Sequence, residues 1–490
     1  MTNSLTAVSH SLENQWIANT ESLDEQTSLL SPAEGTLVSV SMSAPGLTLN
    51  GFLGQALGVE RFFWQAGREQ TAYAGFGVAA EMMAWGNGRF KSIAQKAKQL
   101  FDGAHIFEDV SIRGGTPAVA APRLFGGFAF RDDFTPDNTW AVFHPAHFIL
   151  PHYQLTQLFN QNHDQSACQS WLTMNAIVPQ EENVTAILPQ LRGALAVRYQ
   201  QLLAACKQAS VPDSPPLQHM NYPMDYTAWN AMLSAAIDQM HEGSLQKVVL
   251  ARVCEIWLQA RVRVTAVLAH LNQNYPECYQ FLFEPRPYHA FFGATPELLA
   301  RVNGRTLHTM ALAGSMQRGV DADHDEQFAR ALLQSSKDRH EHALVVDAME
   351  QRLEPLAHDL EMPVEPQIYT LSYIHHLCTP IRATLQTTTG ILPVVAALHP
   401  TPALGGTPRE DALAFIRDAE PVPRGWYAAP IGWIDHKLDG EFGVAIRSAV
   451  SQRRRVWLYA GAGIVTDSEP QREWDETALK FRPMQRALGL

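Results

Sequence analysis

Residues 279–292 read YQFLFEPRPYHAFF, in which two apolar, aromatic-rich runs, Tyr279 to Phe283 and His289 to Phe292, follow each other with no helical segment between them. Runs of this composition predict strands. Working outward, β-branched and apolar character returns in Lys247-Val-Val-Leu-Ala-Arg, in Gly443 to Ser448 and in Val456 to Ala460. Helical spacing of apolar residues marks Tyr226 to Met240, a long segment from Asp325 to Glu354, and a segment from Gln471 to about Arg482 that Pro483 should stop. Strands that cluster instead of alternating with helices predict an α+β fold with antiparallel β-sheets flanked by helices, not a doubly wound parallel sheet.

The earlier part of the chain has the same mixed character, with strand-like runs at Thr36 to Val40 and Thr139 to Phe143 and a helical segment at Ile93 to Leu100. The polar first residues, 1–30, predict a flexible leader, followed by an N-terminal α+β region over 31–210. Prolines and small polar residues in KQASVPDSPPLQHMNY (207–222) mark a linker at 211–222, with 223–490 as the region that carries the chemistry. No repeat of solenoid length is present.

The 490 residues are 46 % hydrophobic and 18 % charged, a globular composition, with 37 basic and 49 acidic residues giving a net charge of −12. That field repels phosphate backbones and anionic membranes, so no nucleic acid and no membrane partner is expected. Five scattered cysteines without a Cys-x-x-Cys pair, and no signal-like start, fit a cytoplasmic protein. An anionic small substrate would need locally placed Arg, Lys or metal.

Gly75-Phe-Gly-Val-Ala-Ala loosely matches a dinucleotide fingerprint, but it lacks the strand–loop–helix frame and the acidic ribose ligand, so it reads as a tight turn. Two acidic clusters are more informative. Asp338-Arg-His-Glu341 and Glu473-Trp-Asp-Glu476 each place two carboxylates three residues apart on one helix face. Such a face is either solvated or gathered around a cation, and oxygen-only ligands favour a hard ion. Glu297, in Gly293-Ala-Thr-Pro-Glu297-Leu-Leu, is either a helix-start acid or a carboxyl kept protonated among apolar neighbours. Lys247, opening an apolar strand, is either a solvated strand-end lysine or a buried base. Arg447 in Gly443-Val-Ala-Ile-Arg, and Gly461 and Gly463 after the next strand, read as strand-end features or as a carboxylate grip with close backbone approach.

Taken together, QKVVLAR, FFGATPELLAR, ALAGSMQRG, SSKDRHEHALVV, LSYIHHLCT, LHPTPALGG, RGWYAAPIGW, FGVAIRSA and AGAGIVTDSEPQREWDETALK resemble, in order and spacing, the chorismate-utilising enzymes, and most of all the isochorismate synthases. The resemblance runs from about Met224 onward. It implies the chorismate-binding fold typified by anthranilate synthase component I, and Mg²⁺-dependent isomerisation of chorismate by water addition at C2 and loss of the C4 hydroxyl. On that resemblance Lys247 is the base and Glu297 the acid. Glu341 and Glu476 hold Mg²⁺ with Asp338 and Glu473 acting through water. His376, Ala403, Tyr427, Arg447, Gly461, Gly463 and Lys480 bind substrate. Lys247 argues against anthranilate synthase, and Ala313, where aminodeoxychorismate synthases carry a nucleophilic lysine, argues against a covalent route. Ala403 favours isochorismate synthase over salicylate synthase, which remains the alternative within the family. A non-catalytic chorismate-binding relative is the other, opposed by the intact Lys247 and Glu297. The resemblance further implies a monomer without a glutaminase subunit, serving menaquinone or siderophore biosynthesis, with the extended N-terminal region favouring menaquinone.

Overall fold

The computed structural model describes residues 35–67, 71–107, 118–159, 168–207 and 214–490. The leader at 1–30 and residues 211–213 of the expected linker lie outside them. Two large sheets dominate, of 13 and 10 strands. Across the larger run, in order, 217–221, 247–258, 455–464, 448–452, 289–295, 279–286, 61–65, 71–76, 153–158, 169–179, 35–43 and 105–107, with 406–407 beside 247–258. The smaller orders as 357–361, 374–385, 306–317, 298–303, 440–444, 430–435, 123–128, 146–150 and 80–84, with 367–370 beside 374–385. Among the described residues every pairing is antiparallel except Gly35–Ser43 with His105–Phe107. The α+β expectation with antiparallel sheets therefore holds.

Both sheets take strands from both halves of the chain. The joints are Tyr279–Arg286 against Arg61–Gln65 and Pro430–Asp435 against Arg123–Phe128. A buried pair locks the first joint, Arg61 Nε meeting Glu284 Oε2 at 2.6 Å, while Trp64 Nε1 donates to Glu441 Oε1 of the smaller sheet at 2.6 Å and ties the two sheets together. Within 211–222, Leu217–Asn221 forms an exposed edge strand on Lys247–Leu258. One core fills the space between the sheets, where Phe143, Phe283 and Phe291 surround Trp426. A second lies beneath helices Val184–Cys206, Val264–Asn274 and Pro470–Ala487 on the outer face of the larger sheet.

Four details differ from the sequence reading. Thr139 to Phe143 is a turn, with Phe143 N donating to Trp140 O, so that its aromatic pair is buried at a spacing of three. The segment Asp325 to Glu354 is two helices, Ala322–Gln334 and Ser336–Leu353, because Ser335 stops the first and caps the second by accepting from Asp338 N. Pro483 does not stop the last helix, which continues to Ala487 because Met484, Ala487 and Leu488 are buried against the sheet. Gly443 to Ser448 is not one strand: Gly440–Val444 belongs to the smaller sheet and Ser448–Gln452 to the larger.

That last break is one of two places where a pair of strands changes sheet together. In the second half, His289–Thr295 passes to Leu298–Asn303 through Pro296-Glu297, beside the break at 445–447. Val444 N donates to Glu297 O at 3.0 Å and Ala294 N to Arg447 O at 3.1 Å. In the first half, Thr71–Phe76 passes to Ala80–Ala84 through Gly77 (φ +66°), beside Pro151-His152. There Ala79 N donates to Leu150 O at 2.8 Å and His152 N to Gly77 O at 3.2 Å. Gly75 lies within the Thr71–Phe76 strand, so the glycine-rich hexapeptide forms a sheet crossing.

Candidate active site

The crossing at 296–297 and 445–447 opens on a pocket of about 880 Å³, its mouth included, into which the two acidic helices also point. Asp338, Glu341, Glu473, Glu476, Glu297, His376, Ala403, Tyr427, Arg447, Gly461, Gly463 and Lys480 all line it. Lys247 lies directly behind, fully buried, with Nζ 2.8 Å from Glu341 Oε1 at angles outside those of a hydrogen bond. The residues that the resemblance assigned to the site thus line one pocket or, for Lys247, lie directly behind it, whereas the Gly75 hexapeptide lies elsewhere.

Lys247 begins the Lys247–Leu258 strand, held between Thr407 on one side and the Arg455–Ile464 strand on the other. The neighbouring glycines create its space. A Cβ on Gly463 would stand 2.5 Å from Glu341 Oε1 and 3.3 Å from Lys247 Cε, and one on Gly461 would stand 3.0 Å from Leu250 O. Glu297 is 4 % exposed. Burial pushes its carboxyl up to about 8, against the opposing pull of Lys247 and Lys480, so it is protonated at neutral pH. No helix begins at Glu297, since it stands between two strands.

The acidic helices bring their own cations. Glu473 is buried and receives a bond from Lys337 Nζ at 3.1 Å. Burial and then Glu476 raise its carboxyl, with Lys337 opposing. Glu476 Oε1 meets Lys480 Nζ at 2.6 Å and the Ser315 hydroxyl at 3.3 Å. Burial would raise this carboxyl, but Lys480, Lys337 and Ser315 hold it below the ordinary range. Asp338 is raised by burial and by Glu341 and Glu476 despite its short hydrogen bond from Ser335. Carboxylates of the two helices therefore sense each other's charge. Among the described residues no three His, Cys, Asp or Glu side chains form a ready metal cage. The donor set is all oxygen, and two carboxylates completed by water and substrate suit Mg²⁺.

On the opposite wall His376 is neutral, its basicity suppressed by burial, Arg447 and Lys480. Its Nδ1 donates to Gly314 O at 3.2 Å, leaving Nε2 to accept from Arg447 Nη2 at 3.1 Å. Arg447 adopts φ +49°, the left-handed region, as the chain changes sheet. Burial pushes the Tyr427 phenol up, and its ring stacks on Tyr459 at 5.1 Å. Lys480 Nζ also donates to Gly461 O at 2.8 Å.

Lys337 and Ser315 belong to the site although sequence reasoning gave them no role. Lys337 stands within SSKDRHEHALVV, but its partner Glu473 is 136 positions away. The only local signal was a cation, Lys337, directly preceding paired acids that also flank Arg339. Arg252 was also missed as a brace: it stacks 3.5 Å over Trp474 and donates to Thr477 Oγ1 at 2.7 Å and to Trp474 O at 3.0 Å. It thereby ties the strand of Lys247 to the helix of Glu473 and Glu476.

A model of the chorismate binding enzyme family matches residues 24–489. The chain is 36 % identical over 431 residues to the salicylate biosynthesis isochorismate synthase of Pseudomonas aeruginosa, covering 87 % of this chain and 84 % of that one. It is 33 % identical over 441 residues to isochorismate synthase MenF of Bacillus subtilis, 88 % of each. The solved structure of MenF, the menaquinone-specific isochorismate synthase from Escherichia coli, superposes with a TM-score of 0.75 at 24 % identity, covering 96 % of this chain and 98 % of that chain. Anthranilate synthase component I from Streptococcus pneumoniae shares the fold at a TM-score of 0.67 and 17 % identity, over 85 % and 92 % of the two chains. Matched in sequence along nearly its whole length and in fold to both structures, the chain belongs to the chorismate-binding enzyme family.

Proposed function

We propose that the chain is an isochorismate synthase. The observation that carries this reading is a carboxyl raised to about 8 at Glu297 in the same pocket that Lys247 backs, an acid and a lysine set apart for different tasks. Relatives carrying that name match it over most of their length. Lys247 takes a proton from a water that forms the new C–O bond at C2 of chorismate. Both ring double bonds shift, C1=C2 to C1=C6 and C5=C6 to C4=C5, the C4–O bond breaks, and Glu297 gives its proton to the departing hydroxyl. One water enters and one leaves, so the product is an isomer. Arg447, oriented by neutral His376, grips a substrate carboxylate, with Tyr427, Lys480 and the backbone at Gly461 and Gly463 completing the cradle. Ala403 shapes the adjoining wall.

Glu341 and Glu476 would hold Mg²⁺, backed through water by Asp338 and Glu473; once bound, the ion supplies positive charge against a substrate carboxylate. The product serves menaquinone or siderophore synthesis, and the enzyme works as a cytoplasmic monomer without a glutaminase subunit. No helix among the described residues is long and apolar enough to cross a membrane.

Incubating the purified chain with chorismate, with and without Mg²⁺, and resolving products by chromatography with mass detection tests the reading. Isochorismate formed only with Mg²⁺ is expected. Salicylate with pyruvate would make the chain a salicylate synthase, and unchanged chorismate would reduce it to a binding protein.

A further inference from the structure

A second pocket, also about 880 Å³ with its mouth included, lies where the Pro430–Asp435 and Arg123–Phe128 strands join the two halves of the smaller sheet. Trp64, Tyr73 and Trp433 provide its aromatic walls. Arg123, 3 % exposed, is set between two of these rings, 4.1 Å from the Tyr73 centroid and 4.7 Å from that of Trp433. Its Nη1 donates to Val119 O and Ala121 O, yet no carboxylate among the described residues pairs with it. Asp435 stands opposite Arg123 in register but turns to accept Lys437 N at 2.8 Å and Asp439 N at 3.1 Å. Glu441 is engaged by Trp64 and Arg301.

Three buried nitrogens in this wall have no hydrogen-bond partner: Arg123 Nε, Trp433 Nε1 and His436 Nδ1. Leaving a buried donor unsatisfied destabilises the fold, and a guanidinium withdrawn from water without a counter-ion does so more. The active pocket has a similar mark, since Lys247 Nζ is also without a hydrogen-bond partner there. We propose that this pocket binds a small aromatic carboxylate, its ring against Trp64 and Tyr73 and its oxygens accepting from Arg123 and Trp433. The orphaned atoms are sealed from water in this conformation. Binding therefore turns the half-buried Trp433 ring, and indole fluorescence reports the event.

The test titrates the full chain with 2-naphthoate, with its neutral carboxamide and with acetate, following tryptophan fluorescence and calorimetry. The expected result is one naphthoate site, with the carboxamide and acetate both weaker by tenfold or more. Trp433→Phe keeps the ring and removes the donor, so it should weaken naphthoate roughly tenfold. Arg123→Met should abolish binding in a chain whose circular dichroism is unchanged. Arg447→Ala, which alters the other pocket, should leave the affinity as it was. Naphthoate binding that survives Trp433→Phe undiminished, that disappears with Arg447→Ala, or that is absent from the parent chain would each overturn the proposal.

Discussion

The two sheet crossings are the same backbone device with opposite uses. Each passes two neighbouring strands from one sheet to the other, and each is tied by a reciprocal pair of main-chain hydrogen bonds. The first is built from Gly77, Val78, Ala79 and His152, all half-buried, with Pro151 buried beside them. The second puts Glu297 and Arg447 at the corresponding turns and faces a pocket. Strand geometry alone therefore does not make an active site; the polar groups placed where regular pairing lapses do. A crossing suits them because side chains there escape the strict in–out alternation of a strand.

Equivalent substitutions at the two crossings should show the largest contrast. Glu297→Gln is expected to reduce kcat by about 10²–10⁴-fold with chorismate affinity largely kept. His152→Gln should leave kcat within about threefold, and steady-state kinetics on both variants decide whether only one crossing is chemical. At the glycines, Gly463→Ala pushes a methyl toward Glu341 and Lys247 and should cost turnover some ten- to hundredfold. A Gly463→Ala enzyme of normal rate would mean that the closeness of Lys247 and Glu341 is unimportant.

The crossings should also respond to pH with opposite sign. Glu297 has its folded pKa raised from 4.5 to about 8, so its contribution to stability is complete below 4.5 and is lost as pH rises toward 8. His152 is lowered from 6.5 to about 4 by burial and by Arg198, so the unfolded chain takes up its proton first and stability falls with pH across that window. Denaturant midpoints of the wild type against Glu297→Gln and His152→Gln, taken from pH 4 to 9, should diverge at opposite ends. The acid role further requires kcat/KM to fall as pH rises through about 8, a limb that Glu297→Gln should lack. The smallest effect is expected at Gly77→Ala, about 1 kcal/mol from the positive φ with a further small cost from a methyl 3.2 Å from His152 Cβ, read from the thermal midpoint with activity unaffected.

Much of this was readable from the residues because the chemistry is local in sequence even where the site is not. Paired acids on a helix, a lysine at a strand start and glycines after a strand keep their meaning in short windows. Lys337 and Ser315 escaped because their partners, Glu473 and Glu476, are 136 and 161 positions away. Arg447 appeared to close a continuous strand because apolar composition does not reveal where a strand leaves one sheet for another. Pro483 misled because a missing N–H weighs less than the burial of Met484, Ala487 and Leu488. The sharing of both sheets by both halves was invisible, since strand order has no signature in a single strand.

That sharing has a consequence during synthesis. Strand Arg61–Gln65 pairs with residues more than 200 positions later, its Arg61 with Glu284 at a separation of 223 and Trp64 with Glu441 at 377. The early strands leave the ribosome long before these partners exist, so their edges need shelter from wrong pairings, and closure of the sheets is slow. Helix Pro470–Ala487, with Glu473, Glu476 and Lys480, follows every strand of the described residues in chain order. A nascent chain thus gains Lys247 and Glu297 before its second acidic helix, so the pocket is complete only once that helix has followed the described strands.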